Sequence, residues 1–162
     1  MSNMIQAARE QVAQLTQAAY EKAAAQGLLP AGAEVKATIE IPKDPTHGDY
    51  ASSFAMAGAK ALHKAPRQIA QTIVDNLDLA DTFFDKVEIA GPGFLNFTLG
   101  SKWYGEVLTD IQAEGNTYGA VDEGHGEKVM VEFVSANPTG PMHIGNARGG
   151  VLGDALASVL TR

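Results

Sequence analysis

The chain has 162 residues, of which 45% are apolar and 19% charged, so it can form a folded core and is not of disordered composition. The absence of cysteine excludes a disulfide framework and a cysteine-based zinc site. The formal net charge of -7 argues against nucleic-acid binding through a diffuse basic field, so an RNA partner would need a local patch or specific base contacts.

An apolar stripe at spacings of three and four residues opens the chain and predicts a helix that ends near Gly27. The stripe consists of Ile5, Ala8, Val12, Leu15, Ala19 and Ala23. Residues 35–41 then alternate between apolar and polar side chains, which predicts a half-buried strand. Residues 42–49 include two prolines, which exclude a helix or a central strand, and are predicted to form a loop.

Two helices are predicted after this loop. Asp49 is placed to cap an alanine-rich helix that runs from Tyr50 to about His63. Pro66 is expected to be the first residue of the second helix, because proline fits the first helical turn. The buried face of that helix is predicted to contain Ile69, Ile73, Val74 and Leu77.

A hairpin and a further helix complete the first part of the chain. Residues 86–90 and 95–99 are predicted strands, joined by the turn signal Gly91-Pro92-Gly93. Ser101 is expected to cap a helix whose inward side chains are Trp103, Val107, Leu108 and Ile111. Residues 1–114 are therefore predicted to form an α+β domain with the element order α-β-α-α-β-β-α and a sheet of at least three strands.

The remaining residues have the pattern of a second, incomplete domain. Residues 115–127 are rich in glycine and are predicted to be a linker. Residues 128–135 form an apolar strand pattern, and a glycine-bearing loop leads to a helix over residues 146–160, which is the opening of a Rossmann-like α/β fold. A single β-α cannot bury both faces of a parallel sheet, and the chain ends inside this helix. Residues 128–162 are therefore expected to be the start of a truncated domain, or else to pack on the first unit.

The loop between this strand and helix has the features of a phosphate site. Helix N-termini present free N–H groups and a partial positive charge to anions. Gly140 and Gly145 permit close approach, and His143 could donate a hydrogen bond to charge developing on a phosphate. A lone histidine in a loop is, however, more often a turn residue than a catalytic one.

Three segments together carry a resemblance to bacterial arginyl-tRNA synthetases. Residues 131–140 (VEFVSANPTG) and 143–150 (HIGNARGG), followed by Gly153-Asp154, resemble the region that bears the His-Ile-Gly-His motif of class I synthetases. Residues 42–51 (PKDPTHGDYA) resemble part of the additional N-terminal domain of that family, and residues 89–97 (IAGPGFLNF) resemble its late hairpin. The resemblance covers essentially the whole chain.

The resemblance implies an arginine–tRNA ligase, which activates arginine with ATP, accompanied by magnesium, and transfers it to arginine tRNA. By motif match, the ATP-binding residues are Gly140, His143, Gly145 and Asn146, and the arginine-binding residues are Glu132, Ser135 and Asn137. His143 is the implied catalytic residue, stabilising charge at the α-phosphate. Asn146 stands where the family usually has histidine, so a second imidazole is missing from the ATP site. The alternatives are a solvated strand charge for Glu132, a strand-end hydroxyl for Ser135 and an Asx-turn for Asn137.

The N-terminal unit resembles a module that reads the tRNA elbow. Phe94 and Asn96 alternate on one face of a strand and match the pairing of a ring with an amide that holds unstacked bases. Lys43 is the implied phosphate contact, and His47 and Tyr50 are weaker candidates. The alternatives are a core position for Phe94, a polar rim position for Asn96 and a solvated loop for Lys43.

No apolar run approaches the roughly 20 residues that span a bilayer, and the start of the chain lacks a signal-peptide pattern, which predicts a cytoplasmic, non-membrane protein. The full-length protein is expected to be monomeric. The chain itself is expected to be catalytically inactive and at most to bind tRNA, since most of the nucleotide fold is not in the sequence. Two alternatives are a stand-alone RNA-binding module and a small nucleotidylyltransferase with a His-x-Gly-His motif. In the latter class the motif normally follows the first strand of the chain, whereas here about 130 residues precede it.

Overall fold

A computed structural model describes residues 3–121 and 124–161, which divide into two compact units, residues 1–113 and 114–162. Each unit is described separately. The helices and strands of the first unit are α1 (Asn3–Ala25), β1 (Ile39–Glu40), β2 (Tyr50–Ser52), α2 (Phe54–Gly58), α3 (Pro66–Asn76), β3 (Phe84–Ala90), β4 (Phe94–Leu99) and α4 (Ser101–Glu114), which ends one residue into the second unit.

The centre of the first unit is a four-stranded antiparallel sheet with the order β1-β2-β4-β3. Helices α1, α2 and α3 contact the sheet, and the core lies between them. Leu95 and Phe97 of β4 are fully buried in this core. Because side chains alternate along a strand, Phe94 and Asn96 lie on the opposite face, which no helix of the core covers.

Helix α1 confirms the first prediction, although its buried face is rotated from the predicted stripe. Ile5 and Leu15 are only partly buried, whereas Thr16 and Tyr20 are buried. The Thr16 hydroxyl donates to the Val12 carbonyl at 2.7 Å, and the Tyr20 hydroxyl donates to the Pro30 carbonyl at 2.7 Å. These hydrogen bonds allow polar side chains to occupy core positions that a purely apolar pattern misses.

The predictions for residues 35–63 were partly wrong. Only Ile39–Glu40 of the predicted strand pairs with a neighbour, and the predicted helix from Tyr50 begins instead as strand β2. The helix α2 that follows has only five residues. β2 lies between β1 and β4, and pairing on both sides places Tyr50–Ser52 in the sheet, although the alanine-rich segment after it favours a helix. The observed order is therefore α-β-β-α-α-β-β-α.

The later elements of this unit are closer to prediction. Pro66 begins α3, and Ile69 and Ile73 are buried on its inner face. The hairpin of β3 and β4 is confirmed. In α4 the prediction of an inward face was wrong for Leu108 and Ile111, which are both exposed.

The second unit contains a 3-10 turn at Gly115–Thr117 and one long helix, α5 (Ile144–Thr161). The strand predicted over residues 128–135 was wrong, because none of the described residues of this segment pairs in a sheet. A strand needs a partner for its backbone groups, and the described part of the unit offers none. Phe133 instead lies against α5 at Gly153, where a Cβ atom would collide with its side chain.

Candidate nucleic-acid interface and nucleotide loop

The loop over residues 42–49 is built by local hydrogen bonds. The Asp44 carboxylate accepts from the Thr46 hydroxyl at 2.7 Å and from the Thr46 backbone N–H at 2.9 Å, and these bonds lower the pKa of Asp44. They cap the short 3-10 turn Pro45–His47. Gly48 follows with φ of 79°, and a Cβ atom there would lie 2.7 Å from the Phe97 carbonyl oxygen. The loop thus passes so close to β4 that only glycine fits.

Asp49 and Tyr50 attach the end of this loop to the sheet and the core. The Asp49 carboxylate accepts from the Leu99 N–H at 2.7 Å, and the Asp49 N–H donates to the Phe97 carbonyl at 2.8 Å. Asp49 is therefore not the helix cap that the sequence predicts. Tyr50 is buried, with its ring edge-on to Phe84, and burial raises the pKa of its hydroxyl. Tyr50 is therefore largely a core residue, although it also borders a neighbouring cleft.

The loop and the uncovered face of the sheet enclose a cleft of about 350 Å³, which we call the Asn96 cleft. Its lining includes Glu40, Lys43, His47, Ala51, Phe94 and Asn96. The structure thus brings together all three predicted tRNA contacts and His47. Phe94 is half-buried, so the core alternative does not hold for it. Lys43 is exposed and makes no ion pair with any residue that the structure describes.

The register of the sheet explains the depth of the Asn96 cleft. Ala51 pairs with Glu40 on one side and with Asn96 on the other. Directly paired residues share a face, so the small methyl group of Ala51 leaves a hollow between two longer side chains. Sequence analysis missed Ala51 because it assigned this residue to a helix.

The Asn96 side chain is the unusual group in this cleft. Asn96 is only 7% exposed, and its side-chain amide forms no hydrogen bond with any described residue. The amide atoms are not fully enclosed, since Arg9 Nε is the only fully buried and unpartnered side-chain atom among the described residues, so the amide reaches solvent through the cleft. The amide lines the cleft, so a ligand with complementary donors and acceptors would supply the missing partners.

The predicted nucleotide loop forms the N-terminus of α5. His143 immediately precedes the helix, and its Nδ1 accepts from the Gly145 N–H at 3.1 Å, while the Asn146 Oδ1 accepts from the His143 N–H at 3.0 Å. This is a reciprocal capping arrangement, with His143 rather than Asn146 in the cap position. Because Nδ1 accepts a hydrogen bond, the neutral imidazole carries its proton on Nε2. Gly145 lets the imidazole approach the backbone closely, since a Cβ atom there would lie 2.9 Å from the imidazole Cε1 and would displace the ring.

A groove of about 280 Å³ lies in front of this helix N-terminus. It collects most of the predicted ATP-binding and arginine-binding residues, namely Ser135, Asn137, Gly140, His143 and Asn146. Glu132 and Gly145 do not line it. Apart from the half-buried Asn146, these groove residues are exposed.

Two further properties bear on possible ligands. Within residues 3–121 and 124–161, no three His, Asp or Glu side chains cluster in a way that would hold a metal ion. No helix in the described part of the chain has the length and apolar character to cross a bilayer.

Residues 6–99 match the family described as the arginyl tRNA synthetase N terminal domain. The chain is 50% identical over 162 residues to an arginine–tRNA ligase of Acetivibrio thermocellus, covering 100% of this chain and 29% of that protein. It is 47% identical over 124 residues to the arginine–tRNA ligase of Bacillus subtilis, covering 76% and 22% of the two chains. The crystal structure of arginyl-tRNA synthetase from Plasmodium falciparum has a similar fold, with a TM-score of 0.53 at 19% identity, over 91% of this chain and 27% of that one. The chain thus spans less than a third of the length of these relatives.

Proposed function

The chain belongs to the arginyl-tRNA synthetase family, and we propose that its first unit holds the elbow of arginine tRNA in the Asn96 cleft. The observation that carries this proposal is the nearly buried Asn96 amide, which lacks a partner among the described residues and lies beside a partly accessible aromatic ring. The family match supports the class of ligand, and the cleft supports the position.

The chemistry of the cleft suits an unstacked base. Sequence-specific RNA recognition uses bases that leave the stack, with aromatic rings against their faces and hydrogen bonds to their edges. Phe94 would supply the ring, and the Asn96 amide can both donate and accept. Lys43 would contact a phosphate next to the bound base. The rim also carries the carboxylates of Glu40 and Asp44, so binding depends on base contacts more than on a positive field.

We further propose that the second unit contributes to an arginine–tRNA ligase site. In this reaction the arginine carboxylate attacks the α-phosphate of ATP, which gives arginyl-adenylate and releases pyrophosphate. A hydroxyl of the terminal tRNA ribose then attacks the carbonyl carbon of the adenylate, and AMP leaves. The phosphates would lie at the N-terminus of α5, where His143 would donate from Nε2 to the charge that develops at the α-phosphate. Magnesium would enter with the ATP phosphates.

The remaining groove residues have complementary roles in this proposal. Gly140 has open space around it, which leaves room for ATP, and the Gly145 and Asn146 backbone belongs to the first turn of α5. Ser135 and Asn137 would contact arginine through hydrogen bonds, and the Glu132 carboxylate suits its ammonium group. The complete reaction would be a property of the longer relatives, in the cytoplasm. The 162-residue chain would at most bind tRNA.

The decisive experiment is binding of the chain to an arginine tRNA transcript at several salt concentrations, beside a transcript in which the elbow-loop base is replaced. We expect affinity to fall about fivefold to 150-fold with the replacement, which corresponds to the loss of about 1–3 kcal/mol from one unsatisfied base contact. The variants Asn96→Ala and Phe94→Ala should lose the preference for the original base. Binding that is indifferent to the base, or the absence of binding, contradicts the proposal.

A matched control is available for each variant. Asn76 is as buried as Asn96 but does not line the cleft, and Phe83 is half-buried like Phe94 and also lies outside the cleft. Asn76→Ala and Phe83→Ala should therefore retain the base preference. Loss of the preference in these controls would mean that the first two variants act through general disturbance of the fold.

A further inference from the structure

A second cleft of about 330 Å³ lies in the first unit and shares a wall with the Asn96 cleft. We call it the Trp103 cleft, and its lining includes Ile5, Ile41, Pro42, Lys43, Pro45 and Trp103. Pro42 and Lys43 line both clefts. The loop over residues 42–49 therefore separates two neighbouring hollows, and Lys43 borders each of them.

The two clefts differ in the chemistry that they offer. In the Trp103 cleft the polar ends of the aromatic rings are already engaged: the Trp103 Nε1–H donates to the Met4 carbonyl at 3.1 Å, and the Tyr50 hydroxyl to the Ile5 carbonyl at 3.5 Å. The Asp49 carboxylate accepts from the Leu99 N–H at 2.7 Å. The rest of the lining is mainly apolar and aromatic, apart from the second carboxylate oxygen of Asp49 and the cation Lys43 at the shared wall, which has no ion-pair partner among the described residues.

We propose that the Trp103 cleft takes the base of the nucleotide next to the one held in the Asn96 cleft, with the connecting phosphate at Lys43. This inference rests on the proposed function. A flat heteroaromatic ring matches an apolar cavity at the small end of the range for ligand sites. A phosphate between two bases matches a cation shared by two clefts, since Lys43 has no ion-pair partner among the described residues.

The proposal makes a distinction between the two nucleotides. The Asn96 cleft reads hydrogen bonds and should distinguish bases. The charged side chains of the Trp103 cleft are Lys43 and Asp49, and the Leu99 N–H already holds Oδ2 of Asp49. Because the rest of its side chains are mainly apolar and aromatic, the cleft should require the presence of a base but accept any of the four. Stacking on aromatic side chains is tolerant of sequence in this way, because every base has a π-face.

Trp103 is the single tryptophan of the chain and reports directly on its own cleft. The experiment is a titration of the full chain with arginine tRNA transcripts, followed by tryptophan fluorescence and by an independent binding assay. The transcripts carry an abasic site at one or the other neighbour of the elbow-loop base, or each of the other three bases there. We expect intact tRNA to quench the fluorescence. One abasic site should abolish quenching and weaken binding at least about fivefold, while base replacements at that position change affinity less than about threefold.

A pair of variants gives a test that does not depend on fluorescence. Ile41 is 63% exposed and lines the Trp103 cleft, whereas Leu108 is 62% exposed and lies outside both clefts. Ile41→Asp should weaken tRNA binding at least about fivefold through repulsion of the nucleotide, while the discrimination of the elbow-loop base persists. Leu108→Asp should leave affinity unchanged.

The outcomes separate this inference from the function on which it rests. If tRNA binds with dependence on the elbow-loop base, but Trp103 fluorescence does not change and both abasic sites are tolerated, the Trp103 cleft has another occupant and the inference is overturned. If affinity depends on which base is present at the neighbouring position, a group of the protein recognises the edge of that base. The proposal that the Trp103 cleft accepts any base is then wrong. If tRNA does not bind at all, the proposed function itself fails.

Discussion

Asn76 and Asn96 are equally buried, each with 7% of its surface exposed, but only the side-chain amide of Asn76 has a hydrogen-bond partner among the described residues. The Asn76 amide donates to the Thr72 carbonyl within α3 at 2.9 Å. The Asn96 amide lines a cleft and has no such partner. The same side chain at the same burial therefore stabilises the fold at one position and is left available to a ligand at the other.

This difference predicts opposite effects of two alanine variants. Asn76→Ala should lower the free energy of unfolding by about 1–2 kcal/mol, because it removes a hydrogen bond in the core. Asn96→Ala should change it by less than about 0.5 kcal/mol, because no hydrogen bond of the folded state is lost. Urea unfolding of both variants measures this. A larger destabilisation by Asn96→Ala would show that its amide is satisfied within the fold.

The depth of the Asn96 cleft should depend on Ala51. Ala51→Leu would fill the hollow between Glu40 and Asn96, and we expect tRNA affinity to fall at least about tenfold. The added side chain points away from the core, so the thermal midpoint should move little. Ala57→Leu, on the exposed side of α2, is the control for the added bulk. Normal tRNA binding by Ala51→Leu would place the ligand elsewhere.

Gly48 should be far less tolerant of substitution than Gly27. Both have positive φ, 79° and 73°, but a Cβ atom at Gly48 would press on the Phe97 carbonyl, whereas nothing lies within 4 Å of one at Gly27. Gly27→Ala should cost about 1 kcal/mol from backbone conformation alone. Gly48→Ala should cost that amount and about 1–3 kcal/mol more, as the loop is pushed off β4. If urea unfolding shows the same loss of stability for both variants, the loop moves away from Phe97 without a measurable loss in the free energy of unfolding.

The Asp44 carboxyl should titrate below the ordinary aspartate range, because Thr46 stabilises its charged form. Its pKa is lower in the folded than in the unfolded chain. Its contribution to stability is therefore present above the unfolded pKa and is lost as the pH falls through the folded pKa. NMR titration should show Thr46→Val raising the pKa of Asp44 toward the ordinary value. An unchanged pKa in that variant would assign the shift to another cause.

The chain by itself should not catalyse arginine-dependent exchange of pyrophosphate with ATP. His143, Gly140, Ser135 and Asn137 are all exposed, so ATP would meet protein on one side only and water would surround the reacting groups. Exchange assays with the chain, beside a longer relative as positive control, measure this. Activity above the level of His143→Ala would contradict the expectation.

Local patterns in the sequence predicted the elements that depend mainly on local interactions. Helices α1 and α3 and the hairpin of β3 and β4 follow from periodicity, from Pro66 and from the glycines of the turn. Strand β2 has only three residues and exists because neighbours pair with it on both sides. The alanine-rich segment that follows it favours a helix, and the prediction extended that helix back over the strand.

In the candidate site, too, the features that depend on local interactions could be predicted, and those that depend on long-range pairing could not. Phe94 and Asn96 could be predicted because alternation within one strand fixes their common face. Tyr50 was assigned a possible RNA contact, because a tyrosine beside a polar loop has the same sequence pattern whether its ring points into the core or outward. The depth of the cleft at Ala51 arises from pairing between residues 45 positions apart, which no local pattern encodes.

The attachment of Asp49 to β4 has a consequence for the kinetics of recognition. Asp49 binds the backbone of Phe97 and Leu99, in the same strand that carries Phe94 and Asn96. The two walls of the Asn96 cleft are thereby preorganised as one rigid body before any partner arrives. A partner then need not order the loop, so little conformational entropy opposes association. Encounter should proceed as rigid docking with a rate constant of about 10⁵–10⁷ M⁻¹s⁻¹, and variants of the cleft should differ mainly in how fast the RNA leaves.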